Sequence, residues 1–147
     1  MTPNAAAEAV EMPDLSIEEA SRFVAAAGLV LDEVSGARVL GHMDLGADHH
    51  TPWGIVHGGI YATAVETAAS VGASAAVADR GQYAVGVHNS TDFLRASVEC
   101  RATVVAEPTH QGRSQQLWTV TVADQDGRQL ARGQVRLRNI ECDRFSH

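Results

Sequence analysis

Residues 52–70 read PWGIVHGGIYATAVETAAS and begin the longest helical pattern in the chain. The eight alanines within residues 62–78 favour a helix, and their small side chains allow a β-sheet to approach it closely. The pattern starts at Gly58 and ends at residues 79–81. An acid at its middle, Glu66, would be costly in lipid. The stretch therefore predicts a long helix that is buried in protein.

The rest of the chain predicts one short helix and six strands. Ser16 and Glu19 form a capping-box pattern that predicts a helix through Ala27. Alternating apolar and polar residues between turn residues predict the strands. These strands cover residues 29–33, 37–44, 83–95, 99–109, 113–123 and 128–138. A run of strands after one long helix predicts an α+β fold, with the helix on one face of an antiparallel sheet.

The length of 147 residues fits a single domain with one core. We expect this domain to occupy residues 15–138. Residues 1–14 hold two prolines and no periodic pattern, which indicates a flexible leader, and residues 139–147 form a C-terminal tail. Aromatic residues make up only 5% of the chain, so Ala, Val and Leu must build the core.

Composition argues against several classes of function. The net charge is −7 and the 11 basic residues, all arginine, form no basic run, which disfavours nucleic acid and anionic membranes as partners. Cys100 and Cys142 provide neither a disulfide framework nor a cysteine-based metal site. The four histidines within residues 42–57 lack a carboxylate pattern that would complete a site, so we expect no metal. No secretory leader opens the chain, and we expect a cytoplasmic protein.

The long helix carries the candidate chemical groups. The N–H groups of Gly58 and Gly59 lie in the first turn, where no helical carbonyl accepts them, and such donors suit a carbonyl oxygen that gains negative charge. Glu66 is the only carboxylate in residues 57–78, and apolar surroundings disfavour its charged form unless it is paired or hydrated. Ser70, one turn later, can hydrogen-bond it. Each group also has a simpler alternative role. The glycines could serve only as a turn and helix start, and Ser70 could be a small packing residue. Glu66 could form an ion pair with an arginine or lie on a solvent-exposed face of the helix.

The spacing of Gly58 and Glu66 indicates more than one chain. Eight residues of helix separate them by ~12 Å along the axis and ~80° around it. A carboxylate and an oxyanion donor that serve one carbonyl must both lie about 3 Å from the reacting group. If both act in one site, they come from two chains across a two-fold interface. The sequence therefore predicts at least a dimer.

Three segments of the chain resemble the hotdog-fold acyl-CoA thioesterases of the phenylacetate-pathway and 4-hydroxybenzoyl-CoA type. They are HGGIYATAVETAAS (57–70), VGVHNSTDFLRAS (85–97) and QGRSQQLWTV (111–120), and the resemblance covers about residues 29–138. In that family an antiparallel sheet wraps around one long helix, and two chains pair to form one continuous sheet with active sites at the interface. Dimers commonly pair again. The resemblance thus implies a homodimer or homotetramer that uses no metal or redox cofactor.

The resemblance also implies roles for individual residues. Glu66 is similar to the catalytic carboxylate, which attacks the thioester or activates a water molecule. Gly58 is similar to the oxyanion donor, and Gly59 keeps the turn tight. His57 resembles the family histidine near the thioester, and Ser70 resembles the hydroxyl residue that helps to place the water.

Five further positions resemble those that handle the nucleotide and pantetheine of CoA. They are Phe93 and Arg95, contributed by the partner chain, and the turn that contains Gly112, Arg113 and Ser114.

One position departs from the family pattern. Seven residues before Gly58, where the family usually has a Gln or Asn that contacts the thioester, this chain has Thr51, whose hydroxyl reaches less far than an amide. We expect an acyl-CoA thioesterase that hydrolyses an acyl- or aryl-CoA to the free acid and CoA. The departure leaves room for a non-catalytic acyl-CoA-binding or regulatory module on the same fold. A thioester hydratase or dehydratase is the third alternative.

Overall fold

A six-stranded antiparallel sheet wraps around one long helix, and this confirms the predicted hotdog arrangement. The computed structural model describes residues 8, 9 and 11–142. Its α-helices are α1 (Arg22–Ala27) and α2 (Gly58–Val77). Its strands are β1 (Val30–Val34), β2 (Val39–Leu45), β3 (Gln82–Phe93), β4 (Cys100–Gln111), β5 (Gln115–Ala123) and β6 (Gln129–Glu141). Short 3-10 helices cover Ile17–Glu19, Ala47–His49 and Ala78–Arg80.

The strands lie in the order β1-β2-β4-β5-β6-β3, and every pair of neighbours is antiparallel. Strands β1 and β3 therefore form the two edges of the sheet. Within the described part of the chain, β3 pairs with β6 on one side only, and its residues 86–90 are exposed. A free edge of this kind offers a row of backbone donors and acceptors to another strand.

The core lies between α2 and the sheet. On β5 the side chains of Trp118, Val120 and Val122 are fully buried, and the Trp118 ring packs against Gly72 of the helix. Small residues on α2 let the sheet approach closely. The buried residues of α2 are Tyr61, Ala64, Val65, Ala68, Ala69, Gly72, Ala73 and Val77. No helix in residues 8–9 and 11–142 is long and apolar enough to cross a membrane.

The N-terminal helix differs from the prediction. The Ser16 side chain caps nothing, and only a 3-10 turn, Ile17–Glu19, follows it. The α-helix begins after Ser21, whose Oγ accepts the N–H of Val24 at 3.2 Å. The predicted single helix through Ala27 was therefore wrong at its start, because a second serine in the same stretch provides the cap.

The described structure differs from the predicted domain boundaries near both ends. Strand β6 continues through Glu141, which pairs with Gln82 of β3, so residues 139–141 are strand rather than tail. Residues 11–13 of the predicted leader, together with Leu15, lie close enough to α2 and β3 to share a cavity with them. Residues 1–7, 10 and 143–147 lie outside the described residues, and there the leader and the tail stay predictions.

Candidate active site

The start of α2 presents one free backbone donor. His57 caps the helix with its side chain, because its Nδ1 accepts the N–H of Gly59 at 2.8 Å. Its carbonyl oxygen accepts the N–H of Ile60 at 3.0 Å. The Gly58 N–H has no acceptor among the described residues. Of the two glycines, Gly58 is thus the one whose N–H can serve an incoming oxygen, and the positive end of the helix dipole supports it.

Phe93 covers this helix start from within the same chain. A Cβ atom at position 58 would lie 2.6 Å from Cε2 of the Phe93 ring, so only glycine fits there without moving the ring. The ring also packs on Tyr61, with centroids 6.3 Å apart, while 57% of Phe93 remains exposed. An aromatic side chain here gives the Gly58 N–H one apolar wall, and hydrogen bonds strengthen when water is displaced from around them.

Glu66 is half-buried and held by two neutral side chains. Ser70 Oγ donates to Glu66 Oε1 at 3.5 Å, and Asn89 Nδ2 donates to Glu66 Oε2 at 3.2 Å. No arginine or histidine among the described residues pairs with this carboxylate. The alternative of an ion pair to a strand arginine therefore does not hold within one chain.

Two residues of β3 that the sequence did not single out determine where Glu66 lies. Asn89 bonds both the carboxylate and the Ala62 carbonyl at 3.2 Å, and its own Oδ1 accepts from Thr91 Oγ1 at 2.6 Å. Gly86 lies at a bulge in the β3–β6 pairing, and a Cβ there would overlap Glu66 Oε1. The glycine therefore leaves the space that the carboxylate occupies.

Thr51 uses its hydroxyl within its own turn. Its Oγ1 accepts the N–H of Trp53 at 3.3 Å, its carbonyl accepts from Gly54 at 3.0 Å, and its N–H donates to Ile55 at 2.7 Å. The side chain thus stabilises the loop that leads into α2. It does not contact Gly58 or Glu66 by a hydrogen bond.

The predicted CoA-handling residues lie at opposite ends of the sheet. The Arg95 N–H donates to the carbonyl of Leu130 at 3.3 Å, whereas the turn at residues 112–114 lies beside Asn139. Nine residues of β6 separate these points, which corresponds to ~30 Å. One chain therefore does not bring Arg95 and Arg113 together.

A buried amide network, also missed from the sequence, holds the turn that carries Arg113. Gln116 is only 1% exposed, and its Nε2 donates to Ala73 O at 3.0 Å and to Asn139 Oδ1 at 2.9 Å. Its Oε1 accepts from Trp118 Nε1 at 2.9 Å. Asn139 Nδ2 donates to the two carbonyls of residues 112–113 at 3.3 and 3.1 Å. The sequence signal that could have revealed this network is Gln116, a polar residue at an inward-facing position of β5.

The His42 and His50 side chains have structural partners. His42 pairs with Asp32 at 2.7 Å, and the His50 ring bonds the carbonyl of Val98 at 2.6 Å. Across residues 8–9 and 11–142, no three His, Cys, Asp or Glu side chains lie together as metal ligands. Burial, with a smaller effect from Cys100, raises the pKa of Tyr61 to about 12, so its hydroxyl stays neutral.

The chain shares its long helix and three of its strands with a known protein family. The family model described as Thioesterase superfamily matches residues 54–131, which include α2 and the strands β3 to β5. The chain belongs to the thioesterase superfamily.

Three known proteins are similar to this chain in sequence or in fold. The candidate esterase Rv1847 of Mycobacterium tuberculosis is 48% identical over 91 residues, which cover 60% of this chain and 65% of the relative, slightly less than two thirds of its length. Its solved structure matches with a TM-score of 0.80 and 39% identity, over 83% of this chain and 98% of that one. The thioesterase HI1161 of Haemophilus influenzae reaches a TM-score of 0.81 at 20% identity, over 95% and 99% of the two chains. A hypothetical thioesterase of Streptococcus pneumoniae, solved with coenzyme A, reaches 0.71 at 18% identity, over 78% and 87%.

Proposed function

We propose that this chain is an acyl-CoA thioesterase, which hydrolyses an acyl- or aryl-CoA to the free acid and CoA. The observation that carries the proposal is the Glu66 carboxylate, half-buried on α2 and held by Ser70 and Asn89 without a cationic partner among the described residues. Ion-pairing does not account for a carboxylate in this setting, and the proposed hydrolysis uses one as nucleophile or general base. Membership of the thioesterase superfamily supports the same activity.

Gly58 supplies the electrophilic half of the mechanism. Its free N–H, at the positive end of α2, donates to the thioester oxygen as negative charge develops there. Such a donor stabilises the tetrahedral intermediate more than the substrate, because the charge forms only on the way to the intermediate. His57 supports it by accepting the Gly59 N–H, which keeps the helix start in its conformation.

Glu66 supplies the other half. It either attacks the thioester carbon, with CoA leaving as a thiolate before water cleaves the resulting anhydride, or it takes a proton from a water that attacks. Both routes need an ionised and oriented carboxylate. Asn89 and Ser70 donate to its two oxygens and so orient it. The Ser70 hydroxyl can also bond a water beside the carboxylate.

The proposed site is completed by a second copy of the chain. Gly58 and Glu66 lie ~12 Å apart along α2 and cannot both touch one thioester. The free edge of β3 supports a homodimer, since antiparallel pairing of two β3 strands would bring the end of one beside the start of the other. That pairing moves Gly58 and Phe93 of one chain toward Glu66 of the other. A homotetramer stays a prediction.

The same pairing supports CoA as the carrier of the acyl group. Arg95 and Arg113 are ~30 Å apart in one chain. When two β3 strands pair, the end of β3 that precedes Arg95 in one chain approaches the end of the sheet that carries Arg113 in the other. Guanidinium groups suit phosphates because they offer a planar fork of donors. The coenzyme A in the Streptococcus pneumoniae structure is consistent with this ligand class.

Thiol release from a panel of acyl- and aryl-CoAs tests the proposal. Glu66→Gln should lower the rate by at least ~10²-fold, since a positioned acid or base contributes that much. Glu107→Gln, an exposed carboxylate on β4, is the matched control and should leave the rate unchanged. Binding of acyl-CoA without thiol release would instead support a non-catalytic module, and a change in enoyl absorbance would support a hydratase.

A further inference from the structure

An apolar cavity of about 310 Å³ lies along α2 on the C-terminal side of Glu66. Three parts of the chain build its walls, namely α2, the start of β3 and the N-terminal segment at residues 11–15. The wall residues include Met12, Leu15, Ser70, Val71, Ser74 and Tyr83. None of them belongs to the part of the chain predicted to handle CoA.

The cavity begins one helical turn from the proposed catalytic carboxylate. Ser70 lines it, and the Ser70 hydroxyl lies 3.5 Å from Glu66 Oε1. Ser74, the next lining residue on the same helix face, is tied to β3 because its Oγ accepts the Ala84 N–H at 3.0 Å. The inner wall of the cavity is therefore fixed, whereas its outer wall is the N-terminal segment.

The chemistry of the walls selects the apolar end of the substrate. The lining surface is almost wholly apolar. Pantetheine amides and nucleotide phosphates would lose their hydrogen bonds to water there without replacement, which is costly. A hydrocarbon or aromatic acyl group gains free energy from the same transfer.

A second apolar cavity, of about 370 Å³, lies between α1 and the start of α2. Its lining includes Phe23, Ala26 and Ile60, together with His57 and Gly59 at the proposed oxyanion end. It does not include Ser70, which hydrogen-bonds Glu66 and lines the first cavity. It is therefore less directly connected to the carboxylate. Because it matches the first cavity in size and polarity, it provides an internal control.

We infer that the cavity beside Ser70 holds the acyl group, and that the N-terminal segment at residues 11–15 closes it and limits the length of acyl chain that the enzyme accepts. The inference rests on the proposed thioesterase function. Each methylene that enters the cavity should raise kcat/KM about fourfold, until the chain meets Met12 and Leu15.

A series of straight-chain acyl-CoAs from acetyl to palmitoyl tests the inference through the dependence of kcat/KM on chain length. Leu15→Trp fills the cavity and should move the preferred length to shorter chains. Leu15→Ala on the N-terminal segment and Val71→Ala on α2 both enlarge the cavity and should move the preference to longer chains. Ala26→Trp fills the second cavity and should leave the profile as in the wild type. Thermal melts followed by circular dichroism check that each variant is folded.

The inference is supported if the preferred acyl length becomes shorter in Leu15→Trp and longer in Leu15→Ala and Val71→Ala. An unchanged profile in folded Leu15 and Val71 variants that still hydrolyse acyl-CoA overturns it and leaves the proposed function standing. An equal loss at all chain lengths also overturns it, because the segment would then support the CoA part or the fold. A shift caused by Ala26→Trp alone assigns the acyl group to the second cavity. Absence of hydrolysis by the wild type would overturn the proposed function itself.

Discussion

At the scale of single residues, Gly86 controls the position of the Glu66 carboxylate. A Cβ at position 86 would overlap Glu66 Oε1, which is the far end of a flexible side chain. The carboxylate can swing aside at little cost in stability, but it then leaves Ser70 and Asn89. A residue that touches no substrate can thus determine the geometry of the reacting group.

Gly86→Ala should therefore lower kcat while the melting temperature stays close to that of the wild type. A misplacement of about 1 Å can cost up to ~10²-fold in rate. Gly46→Ala is the matched control, because a Cβ there meets no atom within 4 Å. Steady-state kinetics and thermal melts measure both effects. Full activity in Gly86→Ala would show that the described position of the carboxylate is not the reactive one.

The sequence predicts Glu66 and Gly58 as candidates because their signals are local. One is the lone acid in an apolar helix, and the other is a glycine in the first helical turn. Gly86 and Asn89 could not be found in the same way. They matter only because the fold packs β3 against α2, and no spacing along the chain encodes that contact.

At the scale of elements, hydrogen bonds from Asn139 of β6 hold the β4–β5 turn in place. The Asn139 amide donates to both carbonyls of residues 112–113, and buried Gln116 holds the amide in turn. The conformation of the turn that presents Arg113 thus depends on a side chain of β6, a strand that is not adjacent to the turn in sequence. Asn139 is a positioning residue for this turn.

Arg113→Ala should raise KM for acyl-CoA about tenfold and leave kcat largely intact, because phosphate contacts bind substrate and transition state alike. Asn139→Ala should raise KM about two- to tenfold through the loss of hydrogen bonds to the turn. The effect of Arg113→Ala should shrink as salt rises. An acyl-pantetheine substrate, which lacks the nucleotide, should respond to neither change. If it responds equally, the turn does not contact the nucleotide.

The β5–β6 turn depends on the charge of Asp124. Its Oδ1 accepts the N–H groups of Asp126 and Arg128, both at 2.9 Å, and its Oδ2 accepts Arg128 Nε at 3.0 Å. Burial opposes ionisation, but these donors outweigh it and hold the pKa of Asp124 below its ordinary 3.8. A lowered pKa stabilises the fold above the unfolded-state value, and this contribution disappears as the pH falls through the folded-state pKa.

Asp124→Asn should therefore lower the melting temperature at pH 7 by a few degrees, and the difference from the wild type should narrow as the pH falls below 3.8. Asp126→Asn, with an exposed side chain in the same turn, should have a smaller effect. Melting curves between pH 2 and pH 7 measure this difference. An Asp124→Asn difference that is constant across that range would contradict the role of the charge.

The elements themselves were largely predictable, for a physical reason. On β5 and β6 the apolar residues alternate with polar ones because one face packs on α2 and the other meets water. The start of α1 was not predictable, because Ser16 and Ser21 both offer a capping hydroxyl and only packing decides between them. The end of β6 was missed because it depends on pairing with Gln82 of a distant strand.

At the scale of the whole molecule, the proposed site requires two chains. Gly58 and Glu66 are separated along one rigid helix, and the free edge of β3 provides the surface on which a second chain can complete the sheet. Each dimer would then hold two sites, each with the Gly58 N–H of one chain and the carboxylate of the other. Two different inactivating substitutions, one per chain, would leave one intact site in each hybrid dimer.

Mixing Glu66→Gln chains with Gly58→Pro chains tests this most directly. Proline removes the N–H at position 58 and is tolerated in the first helical position. Gly58→Ala, which keeps the N–H but also displaces Phe93, separates loss of the donor from movement of the ring. Glu66→Gln chains alone and Gly58→Pro chains alone should both be inactive toward acyl-CoA. After subunit exchange at equal concentrations, thiol release should return to about a quarter of the wild-type rate, since half of the dimers are hybrids with one working site of two. No recovery, with hybrid dimers confirmed by native mass spectrometry, would contradict a site shared between two chains.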